Sequence, residues 1–414
     1  MPVPCSLFPD KRWWLFALVS TFFFFITAST FSSLGVVLPY MIEEFSWNWS
    51  QAGTGFSLLA LLVGLAGTLP ALTIRRFGLK ATYLIGSTTM ASGFVLIALG
   101  DDLYQYWTGA SLLGLGYALC ATVPGIHLIN NWLSDRRSFA IGLYMTLGGL
   151  GAVAGPPIVT LIVSNTDSWR VHWWSMTAAI VALMLLALAF IKERHADNND
   201  AGAANALEEE KISDKVFKTK TDWRYRDALR TPQYYLIVAA LTLTLFCTLT
   251  MNSWAFTHLG MLGISTALAT LALSADGAVN ALSRALGGMI ATRIDPKWLL
   301  VAALIGEMIG MLALSVADTP GMLILFAVGE GFGFGMCFLA TALLLLNYFG
   351  ERDNPEILGT MNFITTAAMA GPVIAGYIAQ KAGGFSIAFQ LNAALMLIVI
   401  IAVAAMKPPI KPIS

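Results

Sequence analysis

Three polar residues, Asp276, Asn280 and Arg284, are spaced four apart within the otherwise apolar stretch 262–292. On a helix they share one face, and the stretch exceeds the ~20 residues that cross a bilayer. A charged side chain at membrane depth costs roughly 2.5–3.5 kcal/mol on insertion scales, so it faces a water-filled cavity or a partner. A guanidinium stays charged and can bind a carboxylate through two parallel hydrogen bonds. The stretch therefore predicts either an anion site at Arg284 or a permanent ion pair with a nearby acid.

Carboxyl groups also fall inside apolar stretches, at Asp276, Glu307 and Glu330. A carboxyl group in a low-dielectric environment can gain and lose a proton near neutral pH. We therefore take Asp276 as a candidate for proton coupling, with helix pairing as the alternative. Glu330 is a candidate for proton coupling or substrate gating, with a structural role as partner of a polar group as the alternative, and we expect Glu307 to be structural. His127 is a third coupling candidate because imidazole titrates near neutrality, although a lone membrane histidine is more often a packing residue.

The composition shows what kind of chain must position these residues. Of the 414 residues 57% are hydrophobic and 12% are charged, and the mean hydropathy is +0.72. This composition indicates a polytopic helical membrane protein. No catalytic pair or triad, metal-ligand spacing or cofactor motif is present, so we predict neither an enzyme nor a bound cofactor or metal.

Twelve apolar stretches are long enough to span a membrane. They lie at 13–40, 49–71, 80–100, 103–131, 138–163, 172–191, 233–257, 262–292, 298–317, 320–346, 356–380 and 384–406. One long hydrophilic segment, 192–232, divides them six and six. We therefore predict an all-α membrane protein with two pseudo-symmetric six-helix bundles, 1–191 and 233–414, joined by the linker loop 192–232.

The distribution of basic residues predicts the orientation. With the N-terminus inside, 21 of the 24 Lys and Arg residues lie in the inner segments, two lie in the outer loops, and Arg284 lies within a span. An excess of basic residues in short loops marks the cytoplasmic side. We therefore expect both termini in the cytoplasm, and the compact loops favour a bacterial inner membrane or plasma membrane.

The two halves repeat. Asn131 corresponds to Asn347, and Gly155-Pro156 corresponds to Gly371-Pro372, both with an offset of 216 residues. Parallel six-span halves with short loops are typical of transporters that work by alternating access around a site between the halves.

The chain resembles the major facilitator superfamily. In the loop after the second span, Arg76, Gly78 and Lys80 match part of the family's loop signature, whereas its first glycine and its acidic residue are replaced by Ala71 and Arg75. Three segments resemble the branch of monocarboxylate porters and the oxalate–formate exchanger. They are LGVVLPYMIEEFSWNWSQA from Leu34, DALRTPQYY from Asp227 and NALSRALGG from Asn280.

This resemblance implies that Arg284 binds the substrate carboxylate. The dicarboxylate exchanger of that branch also has a lysine in span eleven, but the corresponding stretch 356–380 has no Lys or Arg, which favours a substrate with one anionic group. Spans one, four, seven and ten line the cavity in the family. Tyr117, Asn252 and Phe334 are therefore candidate substrate residues beside Asn280, and each could instead serve helix packing.

These observations predict a secondary transporter that moves a small organic anion, most simply a monocarboxylate, by alternating access. The sequence leaves open whether a proton on Asp276 or Glu330 accompanies the anion. Export of a neutral or cationic drug-like compound remains an alternative, because the buried acids could bind a cation. A transporter-derived membrane sensor is the other alternative, although the linker of about 40 residues is short for an output domain.

Overall fold

The computed structural model describes residues 11–133, 137–191, 217–219, 221–291 and 294–410. Every regular element in these residues is helical. The sixteen α-helices are α1 (Lys11–Ser29), α2 (Phe31–Phe45), α3 (Trp49–Leu65), α4 (Leu69–Leu99), α5 (Leu103–Cys120), α6 (Thr122–Trp132), α7 (Arg137–Thr166), α8 (Trp169–Phe190), α9 (Tyr225–Ala228), α10 (Pro232–Met261), α11 (Thr266–Ala291), α12 (Pro296–Ser315), α13 (Pro320–Phe349), α14 (Asn354–Thr365), α15 (Gly371–Ala382) and α16 (Ser386–Ala405).

The predicted twelve spans are confirmed, although several consist of more than one helix. Spans one, four and eleven are the pairs α1–α2, α5–α6 and α14–α15. Within the described residues, ten segments are apolar and long enough to cross a membrane, and one of these, Trp49–Leu99, contains two spans. The 26-residue helix α11 completes the set, since its rise of about 39 Å exceeds a hydrocarbon core of about 30 Å.

Span two becomes span three at Gly78. This residue has φ 85° and ψ 169° in the middle of α4, a backbone conformation that is essentially restricted to glycine. The chain reverses there instead of continuing as a rod. The sequence placed the end of span two at residue 71, but the helix continues to this glycine.

Short loops at the ends of the helices define two faces. The terminal face is where α1 begins and α16 ends, and the opposite face carries the loops 46–48, 100–102, 167–168, 262–265, 316–319 and 383–385. Capping residues fix where the helices begin after these loops. Asn48 and Gln51 cap α3 reciprocally through bonds of 2.8 and 3.1 Å, and Asp102 accepts the Gln105 amide of α5 at 2.7 Å.

The internal repeat is visible in the structure but is not perfect. Asn131 and Asn347 both lie in the last turn of a helix, α6 and α13. The two Gly-Pro pairs differ, because Pro156 lies within the continuous helix α7 whereas Pro372 begins α15 after a 3₁₀ segment, Thr366–Ala370. Span eleven therefore has a break that span five lacks.

The end of the central segment packs onto the second bundle. The Thr219 amide donates to the Asn347 carbonyl at 2.8 Å, and the Trp223 amide donates to the Phe349 carbonyl at 2.9 Å. Trp223 is only 2% exposed. Residues 192–216 and 220 of the predicted linker 192–232 lie outside the described residues.

The two bundles pack tightly at the opposite face. There Gly35 of α2 lies against the Asn252 carbonyl of α10 so closely that an added Cβ would overlap it, and a Cβ on Gly53 would lie 2.6 Å from the Pro372 carbonyl oxygen. The Thr160 and Thr270 hydroxyls join α7 to α11 at 2.8 Å.

The packing between the bundles loosens toward the terminal face. Along α7, a Cβ on Gly149 would lie 3.5 Å from the Ala281 side chain, and one on Gly142 would meet nothing within 4 Å. Along span two, a Cβ on Gly64 would lie 3.3 Å from Thr366, and one on Gly67 would meet nothing. The bundles are therefore closed at the opposite face, and the space between them opens toward the terminal face.

The close approach at Gly35 predicts a shift in conformation when it is enlarged. Gly35→Ala forces α2 away from α10, and overpacking of this kind costs about 1–3 kcal/mol. Such a cost displaces the equilibrium between the two access states by about five- to 150-fold. Spin labels at positions 43 and 381, both exposed and one on each bundle at the opposite face, should report a longer distance in the variant.

Gly359→Ala is the matched control, because a Cβ there meets nothing within 4 Å. It should leave the label distance unchanged and slightly favour its helix. Equal distances in the wild type and in Gly35→Ala would contradict the role of this contact in closing the opposite face.

Candidate functional site

Arg284 lies on α11 and retains accessible surface in the space between the bundles. Its guanidinium carbon lies 5.0 Å from the centre of the Phe334 ring and 5.9 Å from that of Phe338. These two phenylalanines are four residues apart on α13, so they project from the same face of that helix. Both rings are within reach of a cation–π interaction, which holds the charge in the cavity wall without neutralising it.

Asn280 holds the guanidinium from the side. Arg284 Nε donates to Asn280 Oδ1 at 2.9 Å, one helical turn away. The two terminal nitrogens of Arg284 have no hydrogen-bond acceptor among the described residues. They remain available as the paired donors that a carboxylate matches.

No acid neutralises Arg284 in the part of the chain that the structure describes. The ion pairs found there join Arg170 to Glu44 and Asp101, and Arg352 to Asp353. The described residues therefore show no permanent ion pair at Arg284, which was the alternative expectation. The site has a cation whose counter-charge must come from elsewhere.

Tyr117 of the first bundle faces Arg284 of the second. The Tyr117 side chain is half-buried on α5, and its hydroxyl is close enough to interact electrostatically with Arg284. The Tyr117 ring packs edge-on against Phe31 of α2 at 5.5 Å. A molecule bound at Arg284 would therefore contact both bundles, as alternating access requires.

Asp276 and Glu330 form a second cluster, inside the second bundle. The two carboxyl groups, on α11 and α13, are close enough to interact electrostatically, and they are 7% and 0% exposed. The Thr248 hydroxyl of α10 donates to Glu330 Oε1 at 2.8 Å. The helices come this close because Gly331 of α13 lies against the backbone of Asp276.

Glu307 is a separate buried acid on α12. It accepts the Thr244 hydroxyl at 2.8 Å and is 0% exposed. Thr244 also lies 3.2 Å from the Cys337 sulfur, which connects α10, α12 and α13. The position of Glu307 within one bundle fits the structural role expected from the sequence.

Two sequence candidates lie away from Arg284 in the contacts observed. His127 is on α6 near the terminal face and is 3.1 Å from the Asn131 amide nitrogen. Asn252 is half-buried on α10, where its carbonyl meets Gly35 at the closed end of the cavity. The structure thus groups Arg284, Asn280, Phe334 and Tyr117, and separately groups Asp276 with Glu330.

Sequence reasoning missed Phe338 and Thr248. The spacing of Phe338, four residues after Phe334, was a signal that both rings share a face. Thr248 gave no signal, because its relation to Glu330 depends on how α10 and α13 pack.

Comparisons with known proteins agree with this architecture. The family model described as Major Facilitator Superfamily matches residues 18–293 and 259–413. Monocarboxylate transporter 12 of Mus musculus is 21% identical over 409 residues, covering 92% of this chain and 83% of that protein. Monocarboxylate transporter 11 of Homo sapiens is 29% identical over 165 residues, which is 39% of this chain and 34% of that protein.

Solved structures show the same fold. A crystal structure of the nucleoside transporter NupG superposes with a TM-score of 0.69 and covers 96% of this chain and 99% of that one, at 13% identity. This likeness supports the fold alone. Because the family model matches nearly the whole length, the chain belongs to the Major Facilitator Superfamily, whose members are membrane transporters and not enzymes.

Proposed function

We propose that this protein is a secondary transporter for a small monocarboxylate, with Arg284 as the anion-binding residue. The proposal rests on the hydrogen bonding of the Arg284 guanidinium. Asn280 engages its Nε, its terminal nitrogens are unoccupied by described residues, and no acid pairs with it there. Such a fork of donors matches a carboxylate bidentately.

The remaining site residues restrict which substrates fit the cavity. Phe334 and Phe338 offer ring surface beside the charge, and the Tyr117 hydroxyl faces it from the other bundle. The cavity therefore suits a carboxylate attached to a small, partly apolar body. The lack of a basic residue in 356–380 favours one negative charge over two. Similarity to monocarboxylate transporters 11 and 12 supports the same substrate class.

Export of a cationic compound fits this geometry less well. A cationic substrate needs a carboxylate that faces the cavity. Asp276, Glu307 and Glu330, the described acids at mid-membrane depth, are all buried within the second bundle, where Glu307 and Glu330 accept threonine hydroxyls of that bundle. The charged side chain that the described residues place between the bundles at this depth is Arg284.

Orientation and location are part of the proposal. We place the terminal face in the cytoplasm, because 21 of the 24 basic residues belong to that side. The protein would then reside in a plasma or inner membrane with both termini inside. The space between the bundles would open to the cytoplasm in this structure.

A matched panel of compounds tests the substrate class. We expect benzoate, lactate and propionate to raise the apparent melting temperature of the purified protein, and we expect benzamide, lactamide and propionamide to have no effect. A ligand at 100 times its Kd stabilises the folded state by about 2.7 kcal/mol. Malonate and succinate should stabilise less than the monocarboxylates.

Flux measurements in proteoliposomes follow for each compound that stabilises. Uptake of a stabilising monocarboxylate separates transport from sensing, because a sensor would bind without moving it. Equal stabilisation by acids and their amides, or stabilisation by organic cations instead, would contradict the anion proposal.

A further inference from the structure

Arg284 continues a row of positions on α11 that faces the first bundle. A Cβ on Gly277 would lie 3.0 Å from the Ala152 backbone, and one on Gly149 would lie 3.5 Å from the Ala281 side chain. Gly277, Ala281 and Arg284 follow one another at intervals of four and three residues, so they share one face of the helix. The Arg284 side chain therefore projects into the space between the bundles, on the terminal-face side of these contacts.

Phe31 has the corresponding position on the first bundle. It is four residues before Gly35, which lies against the Asn252 carbonyl of α10, and the two residues share one face of α2. The Phe31 ring is therefore one turn from this contact, toward the terminal face. It is half-buried and packs edge-on against Tyr117 of α5 at 5.5 Å. Phe31 and Tyr117 thus form an aromatic surface on the first bundle, beside the space that holds Arg284.

The second bundle contributes two more rings. Phe334 and Phe338 of α13 lie 5.0 and 5.9 Å from the guanidinium carbon of Arg284. Phe334 is half-buried and Phe338 is 48% exposed, so both keep ring surface that their own bundle does not cover. We call the four residues Phe31, Tyr117, Phe334 and Phe338 the aromatic cage.

Two other ring pairs of the first bundle are covered. Phe22 lies 4.9 Å from Tyr83, and Phe23 lies 4.9 Å from Tyr144, and none of these four residues is more than 8% exposed. Such rings serve packing. The aromatic cage instead leaves apolar surface accessible beside a charge, and covering apolar surface is favourable. A molecule bound to Arg284 is in the position to cover it.

The length of the space limits the body of such a molecule. Gly277 and Arg284 are seven residues apart, which is a rise of about 10 Å along α11. A carboxylate bound to Arg284 with its body directed toward the closed end has this distance available. The length fits a single six-membered ring beyond the carboxylate.

We propose that the substrate is an aryl monocarboxylate, with its carboxylate on Arg284 and its ring within the aromatic cage. This inference rests on the proposed function and narrows its substrate class. Aromatic rings pack against one another in offset or edge-to-face arrangements that stabilise beyond the burial of area. An alkyl body of the same size gains from burial alone. The rings of the cage come from both bundles, so the aromatic ring of the substrate contacts both.

Benzoate and cyclohexanecarboxylate test this inference, because each carries one carboxylate on one six-membered ring. The saturated ring has the larger apolar surface, so burial alone favours cyclohexanecarboxylate or leaves the two equal. Contacts between rings instead favour benzoate by about two- to tenfold in apparent Kd. We expect this preference in thermal stabilisation of the wild type at neutral pH, where both acids are ionised.

Tyr117→Phe and Tyr117→Leu form a matched pair of variants. The first keeps the ring and removes the hydroxyl, whereas the second removes the ring. We expect Tyr117→Phe to keep the preference for benzoate. In Tyr117→Leu and in Phe338→Leu the ratio of the two Kd values should move toward one. This ratio compares two ligands in the same protein, so a loss of stability in a variant does not alter it.

Phe190→Leu is the control for loss of an exposed ring. Phe190 is 59% exposed and lies in a groove between α1 and α8 with Trp14 and Leu186. The variant should keep the wild-type ratio.

The outcomes separate this inference from the proposed function. Equal Kd values in the wild type, or tighter binding of cyclohexanecarboxylate, would overturn the aryl substrate and leave the anion site intact. An unchanged preference for benzoate in both Tyr117→Leu and Phe338→Leu would also overturn it, because the ring contacts would then lie elsewhere. If neither carboxylate stabilises the wild type, the proposed function fails and this inference fails with it.

Discussion

Replacing Arg284 by alanine is expected to abolish carboxylate-dependent stabilisation and to reduce uptake by at least about a hundredfold. Two charge-assisted hydrogen bonds are lost, each of them contributing about 1.5–3 kcal/mol, and 1.4 kcal/mol corresponds to a factor of about ten in affinity. The apparent Kd from thermal stabilisation and initial uptake rates in proteoliposomes measure the effect. The large size follows from the absence of a second basic residue at this depth in the described spans.

Lysine at the same position separates charge from geometry. Arg284→Lys keeps the positive charge but not the planar fork of donors, so we expect partial activity between that of the wild type and Arg284→Ala. Arg352→Ala is the matched control for loss of an arginine, because that side chain is 70% exposed and pairs only loosely with Asp353 at 3.7 Å. Wild-type binding by Arg284→Ala would contradict the anion site.

Much of this structure could be predicted from the sequence, because each segment that crosses a membrane must be long and apolar. Apolar length predicted the twelve spans, and the offset between Asn131 and Asn347 predicted two equivalent halves. The ends of the spans were less predictable. The sequence placed Gly78 in a loop between residues 71 and 80, whereas in the structure the helix continues to Gly78, whose backbone conformation reverses the chain.

The candidate site was also only partly predictable from the sequence. Arg284 was identifiable because a charge at membrane depth is costly, and the spacing of Asn280 placed it on the same face. The role of Asn280 was not identifiable, because an amide one turn from an arginine can bond to the substrate or to the arginine itself. In the structure it bonds to Arg284 Nε.

The proximity of Asp276 and Glu330 could not be derived from the sequence either. The two residues are on different helices, and their proximity depends on the register of α11 against α13. The glycines at 331 and 335 indicate close helix packing, but they do not specify which residue on α11 faces Glu330. Only the structure shows that two coupling candidates form one cluster.

The bond between Asn280 and Arg284 leads to the second large prediction. Asn280→Asp preserves the size and the acceptor oxygen but places a carboxylate against the guanidinium. The introduced charge competes with the substrate for Arg284, and an ion pair of this kind in a partly buried site is harder to displace than a neutral amide. We expect carboxylate affinity at neutral pH to fall by about ten- to a hundredfold, which corresponds to about 1.4–2.8 kcal/mol.

A neutral replacement identifies the cause of this loss. Asn280→Ala removes the acceptor without adding a charge, so its loss should be a smaller, few-fold effect. Thermal stabilisation by benzoate at neutral pH in the three proteins measures both effects. Wild-type benzoate affinity in Asn280→Asp at neutral pH would contradict the anion site. The introduced carboxylate would then pair with Arg284 without weakening benzoate binding, so benzoate would have to bind somewhere other than this guanidinium.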